Sequence, residues 1–242
     1  MGKILEKMMS NTLDVLFPAT CMGYGKEGRY ICIRCEGFVS EVALICPVCQ
    51  QSSFTGERHQ TCSAMHGLDG LVNIWEYEGL MKNLLHHIKY TGVTHAVEET
   101  TRLAFTTMIK DKERFGEFLS FLFAKDVSII YVPMHKKKEK ARGFNQAAVL
   151  AREVAKLAQK ELYKILEKVR ETKAQVDLSK EERLYSVKGV FKIMGNSIET
   201  GFERVILIDD VWTTGATMKE CCRVLKKSGI KEVWGFTLAR TP

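Results

Sequence analysis

The chain has 242 residues, 45% of them hydrophobic, which is enough apolar material for one large domain and a smaller one. No apolar run approaches the roughly 18 to 20 residues that a membrane-spanning helix requires, so we expect a cytoplasmic protein without membrane insertion. The net charge is +7, and residues 135–192 hold 16 Lys or Arg against eight Asp or Glu. This stretch favours a polyanionic partner, either a nucleic acid or a di- or triphosphate, or else forms a solvated helix face.

The N-terminal quarter is rich in cysteine and poor in periodic segments. Residues 3–16 have the apolar spacing of a short amphipathic helix, and six of the eight cysteines follow between positions 21 and 62. Paired Cys-x-x-Cys spacings in a chain without a secretion signal favour a metal over disulfides. Because the segment has little core of its own, we expect a structural metal to hold it together.

Two sets of candidate zinc ligands lie in this quarter. The first choice is Cys46, Cys49, His59 and Cys62. Its four soft or borderline ligands have the spacing of a zinc ribbon. The second set is Cys21, Cys32 and Cys35. With three ligands it is empty, or holds Zn²⁺ with water or another fourth ligand, or exchanges ligands with the first set.

The charge of residues 1–66 is balanced, with six Lys or Arg and six Asp or Glu. A nucleic-acid-binding ribbon is usually more basic, so a protein-interaction or scaffolding role fits this module at least as well. After Gly70 the texture becomes that of an ordinary globular chain. We therefore predict a module at 1–68 and a second domain at 69–242.

The second domain alternates helical and strand patterns, which predicts an α/β fold with a parallel sheet flanked by crossover helices. The predicted elements are helices near 80–88 and 96–110, a strand at 127–132, a helix at 145–162, a strand at 205–208, a helix at 217–228 and a strand at 232–238. Cys221 and Cys222 are expected to be small core residues of the last helix.

The run from Arg204 to Thr217 carries the most specific signal. A buried strand delivers two aspartates to its carboxyl end, where open α/β sheets bind ligands, and a turn of small hydroxyl residues then opens a helix whose N-terminus favours an anion. Gly215 lets the backbone approach a phosphate closely. The candidate site residues are Asp209, Asp210, Thr213, Thr214, Gly215, Ala216 and Thr217. The alternative is an acidic turn that only caps its helix.

These residues resemble the signature of type I phosphoribosyltransferases, and the chain is similar nearly end to end to the ComF family of competence-associated proteins. Further motifs that carry the resemblance are Trp75-Glu-Tyr-Glu-Gly79, Lys89-Tyr90-x-Gly92, Val132-Pro-Met-His135, Arg142-Gly-Phe-Asn-Gln146 and the loop from Arg170 to Leu178 followed by Arg183. The chain departs from the family at Tyr24, which stands where a fourth cysteine of the second metal set is expected.

The resemblance implies a type I phosphoribosyltransferase fold preceded by a small zinc-ribbon-like module. It implies that Asp209 and Asp210 bind the ribose 2′- and 3′-hydroxyls of phosphoribosyl pyrophosphate (PRPP), that residues 213–217 bind its 5′-phosphate, and that Mg²⁺ joins through the pyrophosphate. The pyrophosphate and flexible loops would contribute Pro133, His135, Arg142, Arg170 and Arg183.

Turnover is left open by the residues. Salvage transferases have an aspartate where this chain has Thr213, and residue 2 is Gly, so no N-terminal cysteine suggests a glutaminase. The leading hypothesis is a PRPP- and Mg²⁺-binding protein that handles single-stranded DNA in natural transformation, with competence or recombination proteins as partners. The alternatives are a non-catalytic nucleic-acid or protein adaptor with a phosphate-sensing pocket and, less favoured, a nucleotide-salvage or amido-type transferase.

Overall fold

A computed structural model of the protein describes residues 19–63, 67–172, 186–195 and 203–242; the helix expected at 3–16 and Arg183 lie outside them. The described strands are β1 (Gly70–Glu76), β2 (Val127–Tyr131), β3 (Leu162–Tyr163), β4 (Leu166–Lys168), β5 (Phe191–Ile193), β6 (Arg204–Trp212) and β7 (Glu232–Arg240). Five of them form a parallel sheet in the order β1-β7-β6-β2-β3, and β4 pairs with β5 as an antiparallel hairpin.

Helices cover both faces of this sheet. The described α-helices are α1 (Ile33–Glu36), α2 (Gly79–Thr91), α3 (Thr94–Lys110), α4 (Lys112–Phe123), α5 (Lys136–Arg142), α6 (Gln146–Ala158) and α7 (Ala216–Lys227). Helices α2, α3, α4 and α6 pack on one face, and α7 with the β4–β5 hairpin packs on the other. The predicted parallel sheet flanked by helices is therefore confirmed. Among the described residues, no helix combines the length and apolarity that a bilayer crossing needs.

Alternation along the strands explains the two cores. In β6, Ile206 and Ile208 face the core beneath α6, while Val205 and Leu207 face the core beneath α7. Strands of a parallel sheet are buried on both faces, so they read as continuous apolar runs. Cys221 and Cys222 are fully buried on the α7 side, as the sequence predicts.

Helix α6 is shorter than the helix predicted at 145–162. Asn145 is the N-cap of α6, because its side-chain Oδ1 accepts a hydrogen bond from the backbone N–H of Ala147. The helix ends at Ala158 rather than at Leu162, since Gln159 adopts the left-handed conformation with φ = 54°. Leu162 instead begins β3.

The cysteine-rich module lies along the free edge of β1. The backbone N–H of Val42 donates to Ile74 O, and that of Leu71 donates to Gly56 O. Cys21, Ile31 and other module residues belong to the same apolar core as α2 and α3. The chain between 40 and 57 thus covers a sheet edge that would otherwise expose unpaired backbone groups. The division at 68/69 stays a prediction, but many contacts cross it.

Candidate functional site

The acidic pair occupies the carboxyl end of β6, near the middle of the sheet. The Asp209 carboxylate accepts a hydrogen bond from the backbone N–H of Asp210, and the Asp210 carboxylate accepts one from Val211. Burial raises the pKa of Asp209 well above its ordinary value, and the neighbouring charge of Asp210 raises it further. Burial also raises the pKa of Asp210. Hydroxyl donors or a cation bound to these two neighbouring carboxylates would relieve their mutual repulsion.

Residues 213–217, the predicted phosphate loop, turn from β6 into α7. Gly215 is the N-cap of the helix with φ = 72°, a left-handed conformation that favours glycine. A Cβ on Gly215 would also lie 2.1 Å from the ring of Trp212. The sequence leaves stacking on a ligand or packing on the sheet open for Trp212; its ring is 1% exposed and packs in the core. Trp212 therefore supports the loop from behind.

A cavity of about 190 Å³ opens over this strand end. Its lining residues are Lys89, Val132, Pro133, Met134, Lys138, Arg142, Asn145, Gln146, Ala147, Lys168, Phe191, Asp209, Asp210 and Thr217. Four of them are cationic and two are acidic, so the cavity suits an anion that also presents hydroxyls or a divalent cation. Of the predicted site residues, it brings together the acidic pair, Thr217, Pro133 and Arg142.

Three of these cations, Lys89, Lys138 and Lys168, are absent from the site residues predicted from the sequence. The positive charge of Lys89 offsets part of the burial-driven rise in the pKa of Asp210, and that of Lys168 does the same for Asp209, so each aspartate has a lysine nearby. The Lys168 ammonium donates to the Thr172 hydroxyl at 2.8 Å. Burial lowers the pKa of Lys168, and the charge of Lys138 lowers it further. Lys89 belongs to the Lys89-Tyr90-x-Gly92 motif, which could have marked it as a site residue, whereas Lys168 belongs to none of the motifs named above.

The predicted pyrophosphate loop follows β2 and continues into α5. Pro133 lines the cavity, whereas His135 is the N-cap residue of α5 and does not line it. The buried Nδ1 of His135 has no hydrogen-bond partner within the described part of the chain. The basic run from Lys136 to Arg142 is the helix α5, and Lys138 and Arg142 are its members that line the cavity. Arg142 donates to the side-chain oxygen of Gln146.

The predicted flexible loop is only partly described. Arg170 is exposed, and its guanidinium donates to the backbone carbonyl of Lys188 at 3.1 Å. It does not line the cavity. The role of Arg170 in ligand binding stays a prediction, as does that of Arg183.

The first-choice metal set converges. The donor atoms of Cys46, Cys49, His59 and Cys62 all lie within 4.8 Å of one another. The Nε2 atom of His59 is 3.0 Å from the carbonyl of Ser52, which can only accept, so Nε2 carries the proton and Nδ1 is free for a metal. Burial opposes ionisation of Cys46, but backbone N–H groups outweigh it and lower its pKa to about 7. Three thiols and one imidazole fit a structural Zn²⁺.

The second set also converges, with three donors. The sulfur atoms of Cys21, Cys32 and Cys35 lie within 4.8 Å of one another. Burial opposes ionisation of Cys21, but hydrogen bonds from backbone N–H groups lower its pKa to about 6. Burial and the neighbouring thiols raise the pKa of Cys35 to about 12. Tyr24 is 59% exposed. This set fits a cation that carries a fourth ligand from outside the three cysteines.

Comparison with known proteins agrees with this arrangement. Residues 141–242 match the family described as Phosphoribosyl transferase domain. Competence protein F of Haemophilus influenzae is 35% identical over 173 residues, which are 71% of this chain and 73% of that protein. Competence protein ComFC of Bacillus subtilis is 27% identical over 226 residues, 89% of this chain and 86% of its own length. DNA utilization protein YhgH of Salmonella typhi is 26% identical over 216 residues, 87% and 90% of the two chains.

The matched domain and the parallel sheet establish the phosphoribosyltransferase fold that the signature predicts. The two cysteine clusters are consistent with the zinc-ribbon-like module that precedes it. The similarity to Competence protein F exceeds 30% identity across 73% of that protein. The chain therefore belongs to the ComF family of competence-associated proteins.

Proposed function

We propose that the cavity at the end of β6 binds PRPP together with Mg²⁺. The observation that carries the proposal is the meeting of the acidic pair, Thr217 on the first turn of α7 and four cations around one cavity. In this proposal Asp209 and Asp210 accept hydrogen bonds from the ribose 2′- and 3′-hydroxyls. The backbone N–H groups and hydroxyls of residues 213–217 hold the 5′-phosphate.

The four cations that line the cavity would bind the pyrophosphate. Lys89, Lys138, Arg142 and Lys168 line the cavity on the sides of α2, α5 and the β4–β5 hairpin. A pyrophosphate group with Mg²⁺ would lie among them, next to the predicted pyrophosphate loop at Pro133. Because Mg²⁺ prefers few carboxylates and several oxygens of water or substrate, it needs no further protein cage. The raised pKa values of Asp209 and Asp210 favour a ligand that brings hydrogen-bond donors or a cation to these carboxylates.

The biological role that we propose is in DNA uptake during natural transformation. Its support is the family and the names of the relatives, which are competence proteins and a DNA utilization protein. Single-stranded DNA and competence or recombination proteins are the partners that fit this role. The excess of positive charge in residues 135–192 would favour the phosphates of a strand.

A second candidate is an adaptor in which the cavity senses a phosphosugar without turning it over. It is favoured by the lining of the cavity, where Asp209 and Asp210 are the sole acidic groups among the described lining residues and no histidine occurs. Thr213 also offers no base to an incoming nucleophile. A salvage or amido-type transferase remains the third and weakest candidate.

Isothermal calorimetry of PRPP binding with Mg²⁺ tests the site. We expect the Asp209→Asn/Asp210→Asn variant to lose measurable binding. Each amide keeps only one of the two acceptor oxygens of the carboxylate and carries no negative charge. Asp126→Asn removes an aspartate that is exposed and remote from the cavity, so it should bind as the wild type does. An unchanged affinity in the double variant would refute the assignment.

Pyrophosphate release separates the candidates for activity. The protein is incubated with PRPP and Mg²⁺ in the presence of nucleobases, ammonia or single-stranded DNA, and free pyrophosphate is measured over time. Sustained release with any acceptor contradicts the adaptor. Release with a nucleobase or ammonia that yields a free nucleotide or phosphoribosylamine would instead promote the third candidate.

A further inference from the structure

The turn that carries Cys46 and Cys49 lies directly against the phosphate loop. The Lys219 ammonium, on the first turn of α7, donates to the backbone carbonyl of Val48 at 3.3 Å. The side-chain amide of Gln50 reaches the backbone carbonyl of Thr214 at 3.5 Å. Val48 lies between two predicted metal ligands, and Gln50 follows the second. The zinc knuckle, residues 46–50, is therefore joined to both ends of the turn into α7.

Lys219 also contacts Trp212, which packs behind the loop. Its ammonium lies 5.8 Å from the centre of the Trp212 ring. That ring packs behind Gly215, where an added Cβ would meet it at 2.1 Å. The backbone N–H of Lys219 donates to Gly215 O at 2.8 Å. One side chain thus connects the knuckle, the tryptophan and the helix turn that would hold a phosphate.

A metal ion bound by Cys46 and Cys49 would constrain the knuckle beyond its own hydrogen bonds. Two backbone hydrogen bonds, from Cys46 to Gln51 O and from Gln50 to Cys46 O, close the turn. Gln50 adopts φ = 63°, a left-handed conformation that is unusual for a residue with a side chain. Structural zinc sites contribute folding free energy outright, and a knuckle without metal loses the bonds that fix its ligands. Metal loss would therefore move the groups that Lys219 and Thr214 contact.

We propose that the metal-bound knuckle positions the phosphate loop, with Lys219 and Gln50 as the positioning residues, and that metal loading thereby sets affinity for a sugar 5′-phosphate. The choice of ligand rests on the proposed function; the mechanical coupling does not. The effect is confined to the 5′-phosphate side. No hydrogen bond of the described residues joins the knuckle to the pyrophosphate loop at 132–135.

Calorimetry with ribose 5-phosphate and with Mg²⁺-pyrophosphate tests this selectivity. Lys219→Met should weaken ribose 5-phosphate binding about fivefold to tenfold, the value of one hydrogen bond, and leave pyrophosphate binding unchanged. Lys219→Arg keeps a donor and should restore most of the loss. Stripping zinc from the wild type should give the same selective loss, while stripping it from Lys219→Met should add little. Equal loss of both ligands would show a general structural role and overturn the proposal.

Amide hydrogen exchange of residues 213–217 reports on the coupling without a ligand. We expect faster exchange in the zinc-stripped wild type and in Lys219→Met, and no change in Lys219→Arg. If the loaded wild type binds no ribose 5-phosphate, the proposed function fails, and the exchange data still decide the coupling. Unchanged exchange in both the stripped protein and Lys219→Met would refute it.

Discussion

Asp209 shows how a binding site trades stability for function. Its pKa in the folded protein is raised above the ordinary aspartate value, chiefly by burial. Between these two values the folded state binds more protons than the unfolded state. The free energy of unfolding therefore falls as pH rises through this window, and the cost of the buried charge is fully present above it. An asparagine at this position avoids that cost.

We predict that Asp209→Asn melts at a higher temperature than the wild type at pH 8 and that the difference shrinks towards pH 4. The gain at pH 8 should be about 0.5 to 2 kcal/mol, as for other relieved functional sites. Asp126 provides the opposite control. Hydrogen bonding to Arg204 lowers its pKa, so Asp126→Asn should lower the melting temperature at pH 8 and still do so at pH 4, because this stabilisation is lost only as pH falls through the lowered pKa. Differential scanning calorimetry across this range checks both; a lower melting temperature for Asp209→Asn at pH 8 would contradict the account.

The residues found from sequence and those missed differ in how they are connected. Asp209, Gly215 and Thr217 lie in one contiguous strand-turn-helix, so local chemistry identifies them. Lys89 and Lys168 reach the same cavity from α2 and from the β4–β5 hairpin, and only the tertiary fold brings them there. Whether Trp212 stacks or packs also depends on what lies behind it, which a single sequence does not contain.

At the scale of elements, the N-cap of α6 joins a helix to the cavity. Asn145 is 5% exposed; its Oδ1 caps the helix through Ala147, and its Nδ2 donates to the backbone carbonyl of Val132 at 3.1 Å. The side chain thus fixes the end of β2 to the start of α6. The predicted pyrophosphate loop begins at this point.

We predict that Asn145→Ala lowers the free energy of unfolding by about 1 to 3 kcal/mol, because it removes a cap and leaves buried backbone groups unpaired. It should also weaken Mg²⁺-pyrophosphate binding. Asn145→Asp keeps the cap but turns a carboxylate towards the Val132 carbonyl. It should therefore be more stable than Asn145→Ala while still binding pyrophosphate poorly. Urea unfolding and calorimetry separate the two effects. Wild-type pyrophosphate affinity in both variants would rule out this link.

Most of the long elements were predictable and the short ones were not, although the prediction missed the 12-residue helix α4. Strand β6 and helix α7 carry clear periodicity and turn residues, and their predicted spans agree with the structure to within a few residues. Strand β1 is buried on both faces and so has no alternation to distinguish it from a helix segment. Strands β3, β4 and β5 have two or three residues each and exist through their partners. The predicted end of α6 was wrong because the helical pattern continues past Gln159.

For the whole molecule, the module and the sheet share one core, so we expect them to unfold together. Stripping zinc should lower the melting temperature of a single unfolding transition. The free energy of unfolding should fall by about 3 to 4 kcal/mol when free zinc had been 100 to 1,000 times its dissociation constant. Scanning calorimetry of loaded and stripped protein measures this. Cys46→Ser/Cys62→Ser should respond to the chelator only through a cation at the second cysteine set. A separate low-temperature transition with an unchanged main transition would mean that the module unfolds alone.

The position of β1 at the sheet edge also sets an order of assembly. Its neighbour in the sheet is β7, and the side chains of Asn73 and Thr237 that join them are 164 positions apart. Contacts of such separation form slowly, and β7 leaves the ribosome after every other described strand. Until then, the segment 40–57 is the described neighbour already available to β1. A module that acquires zinc early would therefore act as an internal chaperone for an edge that is otherwise open to aggregation during synthesis.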